Sequence, residues 1–430
     1  MEQTGSISEK AVLASLVPPE MNDQQVKSRI DELKMLCQTA GVEVINSFQQ
    51  KRSQPDSSYF IGRGKLEEIK EEIDREEVDV VIFNEEITPL QSRNLENYLE
   101  TRVLDRTALI LDIFATRARS REGKLQVEMA QLQYLLPRLT GYGEALSRLG
   151  GGIGTRGPGE TKLEIDRRRI RKRITELSHS LEEVKKHRSL HRKQRKKDDF
   201  FTVSLVGYTN AGKSTLLNAL SGEQVFTENK LFATLDTTVR KVPLENENEV
   251  LLSDTVGFIQ EMPEQLMKAF KATLEEINEA GLILHVVDLS HPEFEEQIKT
   301  VENVLNELTG KEQQVLMVFN KMDKLAGEEV NLDRLKREFP GSTFISAVNG
   351  SGLEELKRKI SRFLHHRHQR VRFSIPYDQM DFLDRLYRNG RVIEVKYENN
   401  NIFAEAEAPV KFIEQNRSFL VKGTELAEED

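Results

Sequence analysis

FTVSLVGYTNAGKST, residues 201–215, decides how the chain is read. Phe201 to Val206 is a short apolar run rich in β-branched residues and reads as a strand. A loop framed by Gly207 and Gly212 follows, and Lys213, Ser214 and Thr215 open an amphipathic run, LLNAL. Strand, glycine-framed loop and helix, in that order, make a phosphate-binding loop. The chemistry requires these residue types. Glycines let the backbone N–H groups of Tyr208, Thr209, Asn210 and Ala211 turn inward around phosphate oxygens; the helix N-terminus adds partial positive charge and Lys213 a full one. Ser214 offers a hydroxyl to Mg²⁺.

Four further signals follow in order. The first is LFATLDTT, residues 231–238, between the first helix and the next strand. A threonine here can reach Mg²⁺ and sense a γ-phosphate, and Thr234, Thr237 and Thr238 all compete for the role. Phe232, Ala233, Thr234, Leu235 and Asp236 then form a moving switch. The second is VLLSDTVG, an apolar strand ending in Asp254, Thr255, Val256 and Gly257. A carboxylate at that strand end sits beside the Mg²⁺ and can hold a metal-bound water, while Gly257 lets its N–H approach the γ-phosphate. Loss of that phosphate releases the segment.

The third signal is VLMVFNKMD, a buried strand ending in Asn320, Lys321, Met322 and Asp323. Guanine presents N1–H and N2–H₂ as adjacent donors, and the Asp323 carboxylate accepts both; adenine offers no such pair. Asn320 would tie this loop to the phosphate loop, and the Lys321 stem would cover the base. The fourth is TFISAVNG, where the backbone of Ser346, Ala347 and Val348 caps guanine O6. The ordered set reads as a GTP site. Its catalytic group is Lys213, Asp254, Gly257 and one of the three threonines, and its Mg²⁺ ligands are Ser214 and that threonine.

The 430 residues are too many for one core and imply two to four domains. No apolar run approaches the ~20 residues of a membrane span, and MEQTGSISEKAVLASLVPPE lacks the basic-then-apolar order of a secretion signal. Cys37 is the single cysteine, consistent with a reducing cytoplasm. The net charge of −9 is unevenly spread: residues 156–197 hold sixteen Lys/Arg against six Asp/Glu, a local +10, leaving −19 elsewhere. Such asymmetry points to a polyanionic partner.

Read in order, residues 1–20 look like a weakly ordered tail. Residues 1–117 form an α/β domain with a parallel sheet, from helix and strand patterns at 26–37, 42–48, 64–73, VDVVIFN, TPLQSRNLENYLE and TRVLD. The IGRGK turn shapes a connection or binds an anion. Residues 118–198 read as a helical hairpin, its first arm ending at Pro137 and its return arm running over roughly 161–197. Seven glycines between Gly141 and Gly157 make the tip a mobile loop. Arg148, Arg156 and Lys162 lie in or beside it, and the basic return helix can track phosphates. Residues 199–367 are the nucleotide domain and 368–430 a small α/β appendage without a catalytic constellation. His179, His187 and His191 lie among Lys and Arg, which repel a metal ion.

Residues 200–366 resemble a translation-factor-type GTPase, and the chain over roughly 25–425 resembles the HflX family of ribosome-associated GTPases. GGIGTRGPGETKLEIDRRRIRKRI, GYTNAGKST, FATLDTTVR, DTVGFI and NKMD carry the resemblance, the glycine-rich block being the most family-specific. It favours Thr234 among the three threonines. It also implies binding of the large ribosomal subunit, with the N-terminal half and the 140–197 basic hairpin reaching ribosomal RNA near the peptidyl-transferase centre, and splitting of stalled ribosomes under stress. Members are also said to bind ATP through the N-terminal domain; no motif here establishes that. The expected protein is a cytoplasmic monomer using GTP, Mg²⁺ and, optionally, K⁺. The alternative is a GTP-gated RNA-binding or ribosome-assembly module.

One position departs from small signalling GTPases. Phe258 follows Gly257 where those enzymes carry a water-orienting glutamine. A phenyl ring cannot orient water in that way, so slow intrinsic hydrolysis is expected. Asn210 occupies the loop position that coordinates K⁺ in potassium-stimulated GTPases; the other reading is a hydrogen bond to the switch backbone.

Overall fold

The computed structural model describes residues 9–139, 158–197, 201–222, 231, 232, 234, 235, 238–244, 249–260, 262, 263, 266, 267, 277–308, 313–325, 331–366, 368–398 and 401–421. The glycine-rich tip with Arg148 and Arg156, the Lys162 side chain, and Ala233, Asp236 and Thr237 lie outside the described residues.

The first unit runs β1 (Lys10–Val17), α1 (Asp23–Ala40), β2 (Glu43–Lys51), α2 (Arg63–Glu76), β3 (Val80–Phe83), α3 (Pro89–Leu99) and β4 (Arg102–Asp105). Its four strands are parallel in the order β2-β1-β3-β4. β1 corrects the expectation of a tail over residues 1–20. KAVLASLV is buried from Ala11 to Val17 and lies between two strands. A strand covered on both faces shows a near-continuous apolar run rather than an alternation, and this run abuts polar residues that hide it. The YFI run at 59–61, which reads as a short strand ahead of the IGRGK turn, is not one: Phe60 makes only an isolated bridge to Asp56. α1 begins with a capping box, in which Asn22 accepts from Gln25 N–H and the Gln25 side chain accepts from Asn22 N–H. Thr88 and Gln91 repeat the device at α3, with Pro89 in the first turn.

α4 (Arg106–Arg117) and α5 (Arg121–Arg138) continue the chain, and α5 runs one residue past Pro137, which sits in its last turn. α6 (Pro158–Lys197) returns along α5. Ile170, Ile174, Leu177, Leu181 and Val184 recur at helical spacing and are its partly or fully buried apolar positions among the described side chains. Arg173 pairs with Glu128 of α5 at 2.7 Å, fixing the two helices side by side.

The nucleotide domain comprises β5 (Thr202–Gly207), α7 (Lys213–Ser221), β6 (Thr238–Pro243), β7 (Glu249–Asp254), β8 (Leu282–Asp288), α8 (Phe294–Leu308), β9 (Val315–Asn320), α9 (Leu332–Glu338), β10 (Thr343–Phe344) and α10 (Leu353–His366). The sheet order is β10-β9-β8-β5-β7-β6, parallel except for β6. The final unit has β11 (His368–Pro376), α11 (Asp381–Asn389), β12 (Arg391–Glu398), β13 (Asn401–Pro409) and α12 (Val410–Gln415), with an antiparallel sheet β11-β13-β12. The architecture is thus multidomain α/β. Among the described residues no helix is long and apolar enough to cross a membrane.

One buried cluster belongs to no single domain. It continues from Leu13, Leu33, Ile82 and Phe114 through Phe232, Val256 and Phe258 to Val206 and Ile283. The first unit therefore packs directly on the segments that flank the phosphate loop.

Candidate active site

Three parallel strands deliver the site at their carboxyl ends, where α/β sheets bind ligands. β5 ends at Gly207 and opens into the loop; β7 ends at Asp254; β9 ends at Asn320. Gly212 has a φ of +94°, and a Cβ there would stand 2.3 Å from Asn320 Nδ2, so only glycine fits. That contact ties two motifs together. Asn320 Nδ2 donates to Ala211 O at 2.9 Å, and Asn320 Oδ1 accepts from Ala347 N at 3.0 Å. One buried amide thus joins the phosphate loop, the base-selecting loop and the Ser346–Ala347 backbone.

Ser214 at the start of α7 is the meeting point of the metal candidates. Its hydroxyl lies 2.7 Å from Thr234 Oγ1 and donates to Asp254 Oδ2 at 2.6 Å. Thr238 instead stands in β6, paired with Asp254 across the ladder. The other carboxylate oxygen, Asp254 Oδ1, is buried without a hydrogen-bond partner. Burial raises the Asp254 pKa, opposed by Lys213 and by the Ser214 and Thr234 hydroxyls. Two hydroxyls beside a buried carboxylate with a spare oxygen form an oxygen donor set that fits Mg²⁺. Ser214 and Thr234 would hold the ion and Asp254 would steady it from beside; when bound, it supplies positive charge to the phosphates.

Lys213 is buried, and its Nζ donates to Gly207 O at 2.9 Å and Tyr208 O at 2.7 Å. Burial pushes its pKa down to about 8, against the pull of Asp254. The same burial holds His285 on β8 neutral, down to about 3. Gly257 also lies close against the loop: a Cβ there would stand 2.8 Å from Thr209 Cα and 3.1 Å from Lys213 Nζ. Thr255 is pinned behind it, its hydroxyl donating to Leu205 O at 2.7 Å. Phe258 is buried, and its backbone carries its contacts: Phe258 O accepts from Thr209 N at 2.7 Å and its N–H donates to Gly207 O at 3.2 Å. Phe232 N donates to Thr209 Oγ1 at 3.1 Å, holding the first switch on the loop. Leu235 is buried beside it and Val256 lies in the same cluster.

At the base end, Asp323 is exposed and its Oδ1 accepts from Ser346 Oγ at 2.5 Å, which orients the carboxylate. Lys321 has a φ of +66°, and its Nζ donates to Asp288 Oδ2 at 2.6 Å, holding the stem extended. Met322 N donates to Ile345 O at 3.1 Å, and Val348 is exposed at the rim. Asn210 takes a left-handed backbone at φ +60°, and Thr215 continues the first turn of α7.

Several contributors were not apparent in the sequence reading. Asp288 holds Lys321, while Glu32 and Thr39 of α1 and Arg106 and Phe114 of α4 reach the phosphate loop and the segments beside it. The available signal was Tyr208, an aromatic in a loop of small residues. No group of His, Cys, Asp and Glu suited to a separate metal occurs among the described residues.

This fold and site define a P-loop GTPase. Family models match in chain order: a GTP-binding GTPase N-terminal region over 27–115, a GTP-binding GTPase middle region over 117–195, and a 50S ribosome-binding GTPase over 202–321. Relatives named GTPase HflX include one from Caldanaerobacter subterraneus subsp. tengcongensis, 47% identical over 98% of this chain and 96% of its own. The Escherichia coli relative is 45% identical, covering 83% of each chain. Among solved structures, SsGBP in complex with GDP is 26% identical, covers 82% of this chain and 98% of that one, and has a TM-score of 0.48. The chain belongs to the GTPase HflX family, binds GTP and hydrolyses it.

Proposed function

We propose that this GTPase works on the large ribosomal subunit, docking in its Mg²⁺-GTP form and leaving after hydrolysis, and that the cycle splits or rescues stalled ribosomes under stress. The observation that carries the reading is the outer face of α6. Arg168, Arg169, Arg171, Lys172, Lys185 and Lys186 are exposed there, while the apolar stripe faces α5. A rigid helix with one buried seam and a basic outer face suits an RNA backbone. The description of the matched nucleotide-domain family, 50S ribosome-binding GTPase, supports the same partner. The domain limits 1–117, 118–198, 199–367 and 368–430 are proposed as functional units, with the 140–197 hairpin as the RNA-contacting one. The site residues assigned from the motifs are proposed to act in the roles given above.

Hydrolysis by the purified protein is tested alone, with large subunits, with small subunits and with naked ribosomal RNA, each in K⁺ and in Na⁺. Large subunits are expected to stimulate at least tenfold more than naked RNA. Equal stimulation by both would move the chain to the RNA-module alternative. Asn210 is proposed to bring K⁺ against the phosphates, so hydrolysis is expected to be faster in K⁺; equal rates in the two salts end that assignment. Deletion of Gly150 to Gly157 is expected to spare GDP affinity and weaken subunit binding by about tenfold. Normal subunit binding by the deletion would make the tip a linker.

A further inference from the structure

Tyr208 stands in the phosphate loop between Gly207 and Thr209, yet its side chain points away from the loop into the cluster shared with the first unit. Its ring is 5% exposed. Its hydroxyl donates to Glu32 Oε2 of α1 at 2.5 Å and accepts from the backbone N–H of Gln260 at 2.7 Å. A phenol has one proton and two lone pairs; giving the proton to Glu32 aims a lone pair at Gln260. Burial, reinforced by Glu32, raises the Tyr208 pKa well above its ordinary value, so the proton stays in place.

Arg106, the first residue of α4, completes the arrangement. It pairs with Glu32, donates to Asn84 Oδ1 at 3.0 Å, and donates to Gln260 O at 3.3 Å. Both backbone polar groups of Gln260 are therefore held: the N–H by the loop's own tyrosine, the carbonyl by an arginine from another domain. Gln260 is three residues beyond Gly257. Between them, Phe258 is already bonded to the loop through Thr209 and Gly207. The stretch 257–260 has little freedom while these bonds persist.

We propose that Glu32, Arg106 and Tyr208 are positioning residues for GTP hydrolysis, a relay by which the first unit sets the register of residues 257–260 and so the place of the Gly257 N–H against the γ-phosphate. None of the three side chains touches the reacting atoms. Arg106 orients Glu32, Glu32 orients the Tyr208 hydroxyl, and that hydroxyl fixes Gln260. GDP, lacking the γ-phosphate, gains little from the relay. GTP gains in the step where charge develops on the γ-phosphoryl group, because a misplaced N–H donor is a weak one. The inference rests on the GTPase reaction and is independent of the ribosome reading, since it is tested without ribosomes.

The test is single-turnover hydrolysis and nucleotide affinity of the full chain for wild type, Tyr208→Phe, Glu32→Ala and the double variant. Tyr208→Phe keeps the ring packing and removes one oxygen. It is expected to hydrolyse about tenfold more slowly, the size of one lost buried hydrogen bond expressed in the transition state. GDP affinity should stay within about twofold, which also certifies the fold. Glu32→Ala should slow hydrolysis similarly, and the double variant should be no slower than the worse single one, because both break the same relay. The proposal is overturned if Tyr208→Phe hydrolyses at or above the wild-type rate, if it weakens GDP and a non-hydrolysable GTP analogue equally, or if the two substitutions multiply.

Discussion

Lys213→Ala is expected to weaken GTP and GDP by about 10²–10⁴-fold, the scale of 3–5 kcal/mol for deleting one partner of a buried ionic contact. The reason lies in what surrounds Nζ. It is buried and spends its protons on the carbonyls of Gly207 and Tyr208, with Asp254 as the nearby countercharge. Phosphate oxygens entering the loop bring negative charge toward the one buried ammonium that can answer it there. Alanine removes that charge and also leaves two loop carbonyls without a donor. Titration with a fluorescent GDP analogue measures the loss, and a circular-dichroism melt without nucleotide checks that the variant folds. Binding within fivefold of wild type would mean that this loop does not receive the phosphates.

The second large effect concerns the base. Asp323→Asn is expected to lower GTP affinity by about 10²–10⁴-fold, because a site built for two adjacent donors then presents one acceptor and one donor. The same change should improve xanthosine triphosphate, whose base offers an N1–H donor beside a C2 carbonyl acceptor and so matches the amide. Ser346 keeps the new side chain in place, since its hydroxyl can donate to the amide oxygen as it now does to Asp323 Oδ1. Competition between the two nucleotides for wild type and variant gives the answer in one experiment. A variant that prefers GTP as strongly as wild type would remove Asp323 from base selection.

How much of this was legible in the sequence follows from how local each interaction is. The loop, DTVG and NKMD segments are strand ends with a few polar residues in fixed order, so their chemistry can be read from neighbours in the chain. The choice among Thr234, Thr237 and Thr238 could not, because three hydroxyls lie within five positions; in the structure Thr234 Oγ1 lies beside Ser214 and Thr238 stands in β6, while Thr237 is outside the described residues. β1 was missed for a different reason. Its apolar residues alternate with nothing, and central parallel strands lose the period that marks a half-buried one. Glu32 and Arg106 were beyond reach. They are ordinary charged residues on helices, and their partners Tyr208 and Gln260 lie more than 150 positions away.

The shared cluster has a thermal consequence. Phe114 meets Phe232 edge to face at 4.6 Å, and Phe258 is buried in the same cluster. Pulling a single such ring into water uncovers roughly 150–250 Å² and costs about 4–6 kcal/mol. Neither the first unit nor the nucleotide domain can melt without uncovering its half of that surface. Calorimetry should therefore record these two parts of the chain as one endotherm, and saturating GDP, bound only near Lys213 and Asp323, should move the whole of it upward by mass action. Two resolved endotherms, with only one responding to GDP, would show that the joint is too weak to make them a single thermodynamic body.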